Sequence, residues 1–204
     1  MKPHLMIATS NRHKTHEFSQ LLGDKFEISD FSSLDEIPEI DESGATFAEN
    51  ACIKALAVSQ KFSGLVIADD SGLEVDALQG EPGVRSARYA GPRATDADNR
   101  QKLLKSLQAL QSFFHNFPTA ARFQCVIAVA HQGKILTQCH GTVEGDILLE
   151  ERGDQGFGYD PVFLPKGYHL SFAEFPLEEK NKISHRARAT TALLQFLESF
   201  SPTT

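Results

Sequence analysis

Short apolar runs and helical patterns alternate along the first third of the chain. Leu5–Ala8 is typical of a buried strand, and the polar turn Thr9–Arg12 that follows it leads into a helical pattern. A capping-box sequence at Thr46–Glu49 predicts a second helix, which the apolar spacing extends over about residues 46–62. The run Leu65–Ala68 then has the composition of a second buried strand. This alternation favours an α/β fold.

The rest of the chain combines helices with alternating strands. Thr95–Asp98 predicts the start of a third helix, and Phe123–Val129 and Ile135–Gly141 indicate an antiparallel hairpin around a turn at His131–Gly133. The sheet is therefore predicted to be mixed. A loop of glycines and aromatics, Gly153–Pro165, precedes a polar segment and a last helix. The apolar face of that helix is formed by Leu193, Leu194, Leu197 and Phe200.

Composition narrows the classes of partner. Acidic residues outnumber basic ones, 27 to 20, and the net charge is -7. This balance does not predict the basic surface that binds duplex nucleic acid. A local cluster of cations or a bound metal could still bind a small anion. Cys52, Cys125 and Cys139 form no C-x-x-C pair, so a reducing compartment is expected. No apolar run approaches the ~18 residues of a membrane span, so we expect a cytoplasmic protein without a membrane partner.

Two acidic pairs are the leading candidates for chemistry. Asp69 and Asp70 directly follow the second predicted strand, where adjacent carboxylates repel each other unless a cation or a shared proton stabilises them. Asp41 and Glu42 precede the capped helix, where they could complement its dipole or bind a metal. Magnesium prefers a few carboxylate ligands together with water and phosphate oxygens. The alternative for Asp69 and Asp70 is a helix cap or a solvated turn.

Lys14 opens the first predicted helix, directly after a strand and a polar turn. The amide groups and the positive dipole end of such a helix start favour an anion, so a phosphate site is plausible here. The turn lacks glycine and is not a P-loop, and a lysine in a first helical turn is commonly just solvated. Both interpretations stay open at this point.

Two later segments could contact a base or a phosphate. In Gly156–Pro161, glycines permit close backbone approach, aromatic rings could stack on a base, and Asp160 could bind sugar or base. The alternative is a surface turn with its aromatics in the core. Lys180, His185 and Arg186 lie in the polar segment that enters the last helix, with Ser184 as a possible N-cap, and they could be either ligand contacts or solvated charges.

Taken together, six blocks of the sequence resemble the inosine triphosphate pyrophosphatase family. They occur in the family's order over almost the whole chain: Thr9–Lys14, Glu42–Ala51, Ala68–Leu73, Gly83–Gly91, Gly156–Phe163 and Ser184–Arg186. The resemblance implies a mixed α/β fold with two lobes around a central nucleotide-binding cleft, within a single domain over residues 1–204. It also implies a homodimer.

The same resemblance implies the activity and the roles of individual residues. The enzyme would hydrolyse non-standard purine nucleoside triphosphates (ITP, dITP and XTP) to the monophosphate and pyrophosphate, removing them from the nucleotide pool, with Mg²⁺ as cofactor. Glu42 and Asp70 would bind the metal, Asp70 would also be the general base, Lys14 would assist the leaving group, and Asp69 and Asp41 would be auxiliary carboxylates. The triphosphate-binding turn would be Thr9, Ser10, Asn11, Arg12, His13 and Lys14. The remaining nucleotide contacts would be Ser71, Phe157, Gly158, Tyr159, Asp160, Lys180, His185 and Arg186, the last two near the base.

Three other functions are compatible with parts of this pattern. A pyrophosphatase acting on modified pyrimidine or standard nucleotides would use the same metal chemistry with a different base pocket. A nucleotide-binding sensor would bind triphosphates without releasing pyrophosphate, although it would not need a base beside a metal. A nucleic-acid-binding module fits worst, because the chain is acidic and has no basic tract.

Overall fold

The computed structural model describes residues 2–34, 40–111 and 118–199. Phe200, which we expected on the apolar face of the last helix, lies outside these residues. Among the described residues, no helix is both long enough and apolar enough to cross a membrane. The helices and strands are, in chain order, β1 (His4–Ile7), α1 (Arg12–Leu22), β2 (Glu27–Ser29), α2 (Phe47–Ser59), β3 (Leu65–Val75), α3 (Asp96–Gln111), β4 (Ala120–His131), β5 (Lys134–Ile147), β6 (Phe163–Pro165), α4 (Leu177–Ile183) and α5 (His185–Ser199).

The strands form a mixed sheet in the order β2-β1-β3-β4-β5-β6. Strand β1 runs parallel to β2 and to β3, with Leu5 opposite Leu65, whereas β5 and β6 are antiparallel. The α/β class and the mixed sheet are therefore confirmed. Gln132 and Gly133 connect β4 to β5 with φ angles of 49° and 73°, as a two-residue hairpin turn requires.

Strand β3 is longer than the apolar pattern predicted. We expected the strand to end at Ala68 and to place the acidic pair beyond its carboxyl end, and this expectation is wrong. The strand continues through Asp69 and Asp70 to Val75. Both carboxylates are buried within the strand, which is possible because cations from other elements compensate their charge. The short strands β2 and β6 and helix α4 were not predicted, because none has enough residues for a clear periodic pattern.

The described chain divides into two compact units. The first unit comprises described residues within 1–70, 125–141 and 186–204. Its core is aliphatic, and α1 and α5 supply Phe18, Leu22 and Leu193 to the cluster formed by the strands. This unit contains β1, the amino-terminal part of β3 and both residues of the acidic pair.

The second unit comprises residues 71–124 and 142–185, within the described ranges. Its core is aromatic: the ring centroid of Phe163 lies 4.7 Å from that of Phe123 and 5.1 Å from that of Phe172. Leu103 and Leu107 pack α3 against the same cluster. The loop Gly156–Asp160 belongs to this unit.

Candidate active site

Asp69 and Asp70 are consecutive residues of β3, so their side chains leave the strand on opposite faces. Asp69 meets cations from α1 and α5, with Oδ2 3.1 Å from Nζ of Lys14 and 3.0 Å from a terminal guanidinium nitrogen of Arg186. Asp70 meets α2: its Oδ2 accepts a hydrogen bond from Asn50. The two carboxylates therefore have different electrostatic environments although they are adjacent in sequence.

The Asp69 side is a buried network of charges. Arg186 is 1% exposed and donates to Asp69 and also to Glu17 of α1. Burial by itself would raise the pKa of Asp69, but Lys14, Arg186 and Lys54 together hold that pKa well below its ordinary value. Asp69 is consequently a fixed negative charge that orients Lys14 and Arg186.

The Asp70 side contains Lys54, which is not among the site residues predicted from the sequence. Nζ of Lys54 lies 2.9 Å from Oε2 of Glu42 and 3.5 Å from Oδ1 of Asp70. Because both oxygens contact the same nitrogen, they cannot be farther apart than the sum of these two distances. Burial raises the pKa of Asp70 despite Lys54 and Lys14 nearby. The pKa of Lys54 is also raised, because Asp70, Asp69 and Glu42 outweigh its burial, so the ammonium stays charged.

The start of α2 positions the Glu42 side of this arrangement. The predicted capping box is present, since Thr46 accepts from the amide of Glu49 and Glu49 accepts from the amide of Thr46. One turn into the helix, Asn50 donates to Asp70 and accepts from the amide of Gly44 at 2.8 Å. Asn50 therefore ties the loop that carries Glu42 to the acidic pair on β3.

A sequence signal for Asn50 and Lys54 existed in the helical spacing. Both residues are buried, and they lie at positions 3 and 7 after Phe47, which are core-facing positions of the apolar stripe that begins there. Polar residues at such positions indicate a buried polar contact rather than a solvated face. Glu17 on α1 gives the same signal for the Asp69 side of β3, because it is a buried acidic residue next to the buried Phe18.

The turn before α1 caps its own helix. Oγ1 of Thr9 accepts from the amide of Asn11, and Oδ1 of Asn11 accepts from the amides of His13 and Lys14 at 2.9 and 3.4 Å. Asn11 is therefore the N-cap. Lys14 is mostly buried and contacts Asp69, so the alternative of a solvated lysine is excluded. The other exposed members of this turn are Ser10, Arg12 and His13.

In the second unit, the loop Gly156–Asp160 is built around Asp160, which is 2% exposed. Oδ2 of Asp160 accepts from the amide of Phe157 at 2.9 Å and from Nζ of Lys180 at 2.7 Å. The same ammonium lies 5.1 Å from the ring centroid of half-buried Phe157. Tyr159 is buried, and its hydroxyl donates to the carbonyl of Ser86. Core packing, the alternative interpretation of this loop, therefore holds for Tyr159.

The polar segment before the last helix is folded and buried. Lys180 lies on α4, Ser184 is the residue between α4 and α5, and His185 stacks on Phe123 with centroids 4.7 Å apart. Lys180, His185 and Arg186 are all buried, so they are not solvated surface charges. Ser71 lies on β3 as the first residue of the second unit and is half-buried.

Most of the predicted site residues thus form two groups, each within one unit, and Asn50 and Lys54 join the first. Ser71 and His185 belong to the second unit but to neither group. The first, which we call the acidic cluster, contains Lys14, Glu42, Asn50, Lys54, Asp69, Asp70 and Arg186, with the Thr9–His13 turn preceding Lys14. The second, which we call the aromatic loop, is Gly156–Asp160 with Lys180. Asp41, an expected auxiliary carboxylate, is exposed next to Glu42.

Comparison with known proteins assigns the chain to a family. The family model described as the Ham1 family matches residues 5–196. The chain belongs to the Ham1 family. Two solved Ham1 structures have the same fold over nearly the whole length: a HAM1 protein from Coxiella burnetii (TM-score 0.86, 39% identity, 98% of this chain and 100% of that one) and the Staphylococcus aureus Ham1 protein (TM-score 0.83, 38% identity, 96% and 98%).

Relatives of this Ham1 chain carry functional names. A protein of Oceanobacillus iheyensis named dITP/XTP pyrophosphatase is 44% identical over 198 residues, which cover 96% of this chain and 98% of that protein. A Listeria monocytogenes protein with the same name is 47% identical over 191 residues, covering 93% and 92%. The Ham1 similarity therefore spans both groups of site residues.

Two carboxylates of the acidic cluster in this Ham1 chain are placed to share a cation. The carboxylates of Glu42 and Asp70 already converge on one positive charge, the ammonium of Lys54. No group of three or more His, Cys, Asp or Glu side chains that could hold a metal occurs within residues 2–34, 40–111 and 118–199. Two carboxylates suit Mg²⁺, which takes its other ligands from water and phosphate. The donor set therefore fits magnesium bound together with a polyphosphate.

Proposed function

We propose that this chain hydrolyses non-standard purine nucleoside triphosphates, namely ITP, dITP and XTP, to the nucleoside monophosphate and pyrophosphate. The observation that carries the proposal is the convergence of the Glu42 and Asp70 carboxylates on one cation, with Asp69, the partner of Lys14, directly before Asp70 on β3. The names of the relatives, dITP/XTP pyrophosphatase, support the reaction and the substrate class. Removal of such nucleotides from the pool is the role that follows from this reaction.

Magnesium is proposed as the cofactor, with Glu42 and Asp70 as its protein ligands. When bound, Mg²⁺ would neutralise charge on the triphosphate and orient the phosphate chain. Glu42 is the more exposed of the two, and Asp70 is fixed by Asn50. The negative charge of the acidic pair is compensated by Lys14, Lys54 and Arg186 of the chain itself, so the fold does not need the metal to bury the pair.

Hydrolysis requires a water oxygen to form a bond to the α-phosphorus while the bond from that phosphorus to the bridging oxygen of pyrophosphate breaks. Asp70 accepts the proton of the attacking water, for which its raised pKa suits it better than that of Asp69. The electron pair leaves on the bridging oxygen, where the ammonium of Lys14 stabilises the negative charge. Asp69 holds Lys14 in place for this role. The turn Thr9–His13 contributes side-chain and backbone contacts to the phosphates.

For base recognition, we propose that the aromatic loop contacts the purine ring. Phe157 supplies the stacking surface, and the buried Asp160–Lys180 pair behind it keeps the loop rigid. His185 and Arg186 carry N–H donors that suit the 6-oxo group of hypoxanthine and xanthine, and adenine would leave such donors unpaired. Sites of this kind can reach ~10⁴-fold discrimination. Ser71 and Gly158 complete the proposed nucleotide contacts, and the buried Tyr159 supports the loop through its hydrogen bond to the carbonyl of Ser86.

The contacts of Arg186 change how its role can be tested. Truncation to alanine would remove the guanidinium from Glu17 and Asp69, which are both buried. A loss of activity in Arg186→Ala would therefore combine loss of base recognition with collapse of the acidic cluster. The ratio of ITP to ATP turnover, rather than the absolute rate, is the informative measurement for this variant, and an unaltered ratio would discard its role at the base.

The family resemblance also supports a homodimer and a cytoplasmic location, which we include in the proposal. Light scattering of the purified protein measures the first. A monomer at micromolar concentration would contradict the dimer.

Fractionation of cells that produce the protein tests the cytoplasmic location, and recovery outside the cytoplasm would contradict it.

Pyrophosphate release from ITP, with and without Mg²⁺, tests the proposed reaction. We expect release only with the metal, a clear preference for ITP, dITP and XTP over ATP, and strongly reduced release by Lys14→Ala. Binding of ITP without pyrophosphate release would indicate a sensor instead. Faster turnover of modified pyrimidine or standard nucleotides in the same panel would indicate the rival pyrophosphatase.

A further inference from the structure

The peptide groups of Gly158 are held by the first turn of α3. The amide of Gly158 donates to Oδ2 of Asp96 at 2.7 Å, and its carbonyl accepts from Nη1 of Arg100 at 2.8 Å. Asp96 and Arg100 are four residues apart and therefore share one face of the helix. One helix face thus binds both polar backbone groups of a single glycine in the aromatic loop.

The backbone on the other side of Phe157 is fixed as well. Its amide donates to Asp160, and its carbonyl accepts from the amide of Asp160 at 3.2 Å. Gly156 and Gly158 flank it with φ angles of 73° and 63°, a region that L side chains rarely adopt. Phe157 is consequently a half-buried ring on a backbone whose hydrogen-bonding groups are bound on both sides.

Helix α3 is a firm support for this contact. Leu103 and Leu107 are fully buried in the aromatic core of the second unit. Asn99 adds polar anchors, accepting from the amide of Ala90 and donating to the carbonyl of Ala87. A change at the amino-terminal turn of α3 can therefore affect the aromatic loop while the rest of the helix stays in place.

We propose that Asp96 and Arg100 are positioning residues that set the orientation of the Phe157 ring and thereby the affinity of the site for its purine base. This inference rests on the proposed function for the identity of the ligand. Neither residue carries a motif signal of its own. Acidic residues are common in the first turn of a helix, and the sequence alone gives Asp96 no other role. Its hydrogen bond to the amide of Gly158 is what assigns it to the aromatic loop.

A fluorescence measurement tests the positioning without any turnover. The chain has no tryptophan, so Phe157→Trp introduces a single indole into the aromatic loop. In that background, Asp96→Ala should increase acrylamide quenching and lower the anisotropy of the indole emission, because the amide of Gly158 loses its acceptor. Asp96→Asn, which retains an acceptor oxygen, should restore both values. Unchanged quenching and anisotropy in Asp96→Ala would overturn the positioning role.

Asp98→Ala is the matched control. Asp98 lies in the same first turn of α3 but accepts from Thr95, through its amide and hydroxyl, instead of from the aromatic loop. Its removal weakens the helix start without touching Gly158. If Asp98→Ala mobilises the indole as much as Asp96→Ala, the effect belongs to the helix start, and the proposal fails.

Steady-state kinetics test the consequence for the base. In the otherwise unchanged chain, Asp96→Ala should raise KM for ITP roughly tenfold, the order of one base–aromatic stack, with kcat within about twofold. Asp96→Asn and Asp98→Ala should both keep the original KM. Arg100→Gln should raise KM. Glu151→Ala, which removes the partner of Arg100 at 3.0 Å that lies outside the aromatic loop, should not. If Asp96→Ala instead lowers kcat roughly tenfold and leaves KM unchanged, the role at the base is contradicted.

Failure of the proposed function and failure of the positioning inference give different experimental results. If the unchanged chain releases no pyrophosphate from ITP, the proposed function fails while the fluorescence result still decides the positioning. If the unchanged chain is active and Asp96→Ala behaves like Asp98→Ala in both measurements, only the positioning inference fails.

Discussion

Asp69 and Asp70 are adjacent on β3, yet Asp69 contacts Lys14 and Arg186 whereas Asp70 contacts Asn50 and Lys54. The strand geometry separates the two carboxylates onto opposite faces, so Asp69 meets side chains of α1 and α5 whereas Asp70 meets side chains of α2. As a result, the pKa of Asp69 is lowered and that of Asp70 is raised. One carboxylate is suited to hold cations in place and the other to exchange a proton.

Asp70→Asn is expected to abolish most turnover without unfolding the protein. Loss of general-base help alone costs at least ~10²-fold, and weaker metal binding adds to it. Because burial raises the pKa of Asp70, replacing this carboxylate by a neutral amide should leave the unfolding midpoint at pH 7 nearly unchanged. Pyrophosphate release from ITP and urea unfolding measure the two quantities. Asp24→Asn, the same change at an exposed position, is the control; a nearly normal rate for Asp70→Asn would refute its role.

Asp69→Asn is expected to destabilise the fold in a pH-dependent way. Because its pKa is lower in the folded than in the unfolded chain, ionised Asp69 stabilises the protein above about pH 4, and this contribution is lost as the pH falls further. At pH 7 the variant should lose about 3–5 kcal/mol in the free energy of unfolding, since Lys14 and Arg186 lose a buried partner. Urea titrations of both proteins at pH 7 and at pH 2.5, well below the ordinary pKa of aspartate, measure this. A difference that stays constant between the two pH values would contradict the lowered pKa.

Lys54→Met is expected to convert the acidic cluster into a tighter metal site. Without the shared ammonium, Glu42 and Asp70 retain two converging negative charges, so MgCl₂ without nucleotide should raise the thermal midpoint of the variant more than that of the unchanged chain. In the absence of metal, the variant should be less stable by about 3 kcal/mol. Lys61→Met, at an exposed position after α2, is the control. Equal responses to MgCl₂ in the two variants would count against a metal site at Glu42 and Asp70.

The three thiols are expected to differ in reactivity. Cys125 is buried on β4, and burial with the nearby charge of Asp69 raises its pKa to about 12, so almost none is thiolate at pH 8. Cys139 is also buried, whereas Cys52 is half-buried on α2. Iodoacetamide at pH 8 should therefore modify Cys52 first, as mass spectrometry of peptides can measure. Early modification of Cys125 would mean that this strand opens readily.

Several elements follow from local sequence alone. The helix starts at Thr46 and Asn11 depend on side chains that bind amides within the same turn, and the hairpin at Gln132–Gly133 depends on a backbone conformation that two adjacent residues adopt. Such contacts span a few residues and leave a readable pattern. The motif blocks also identified most of the candidate site, including Lys14 and the acidic pair.

Other features have no local signature. The apolar run predicted that β3 would end at Ala68, because nothing nearby indicates that the following carboxylates can be buried. The partners that make this possible come from elsewhere in the chain: Lys54 from α2, and Arg186, which lies 117 positions from Asp69 and 169 positions from its other partner, Glu17. Likewise, Asp96 becomes informative only through Gly158, 62 positions away.

The sequence by itself determined where the longer helices and the β4–β5 hairpin turn begin, that the sheet is mixed, and which residue types could bind a triphosphate. Only the tertiary structure decided which cation faces which carboxylate. The physical reason is that the cost of burying a charge depends on the partners that folding brings to it, and those partners are remote in the chain.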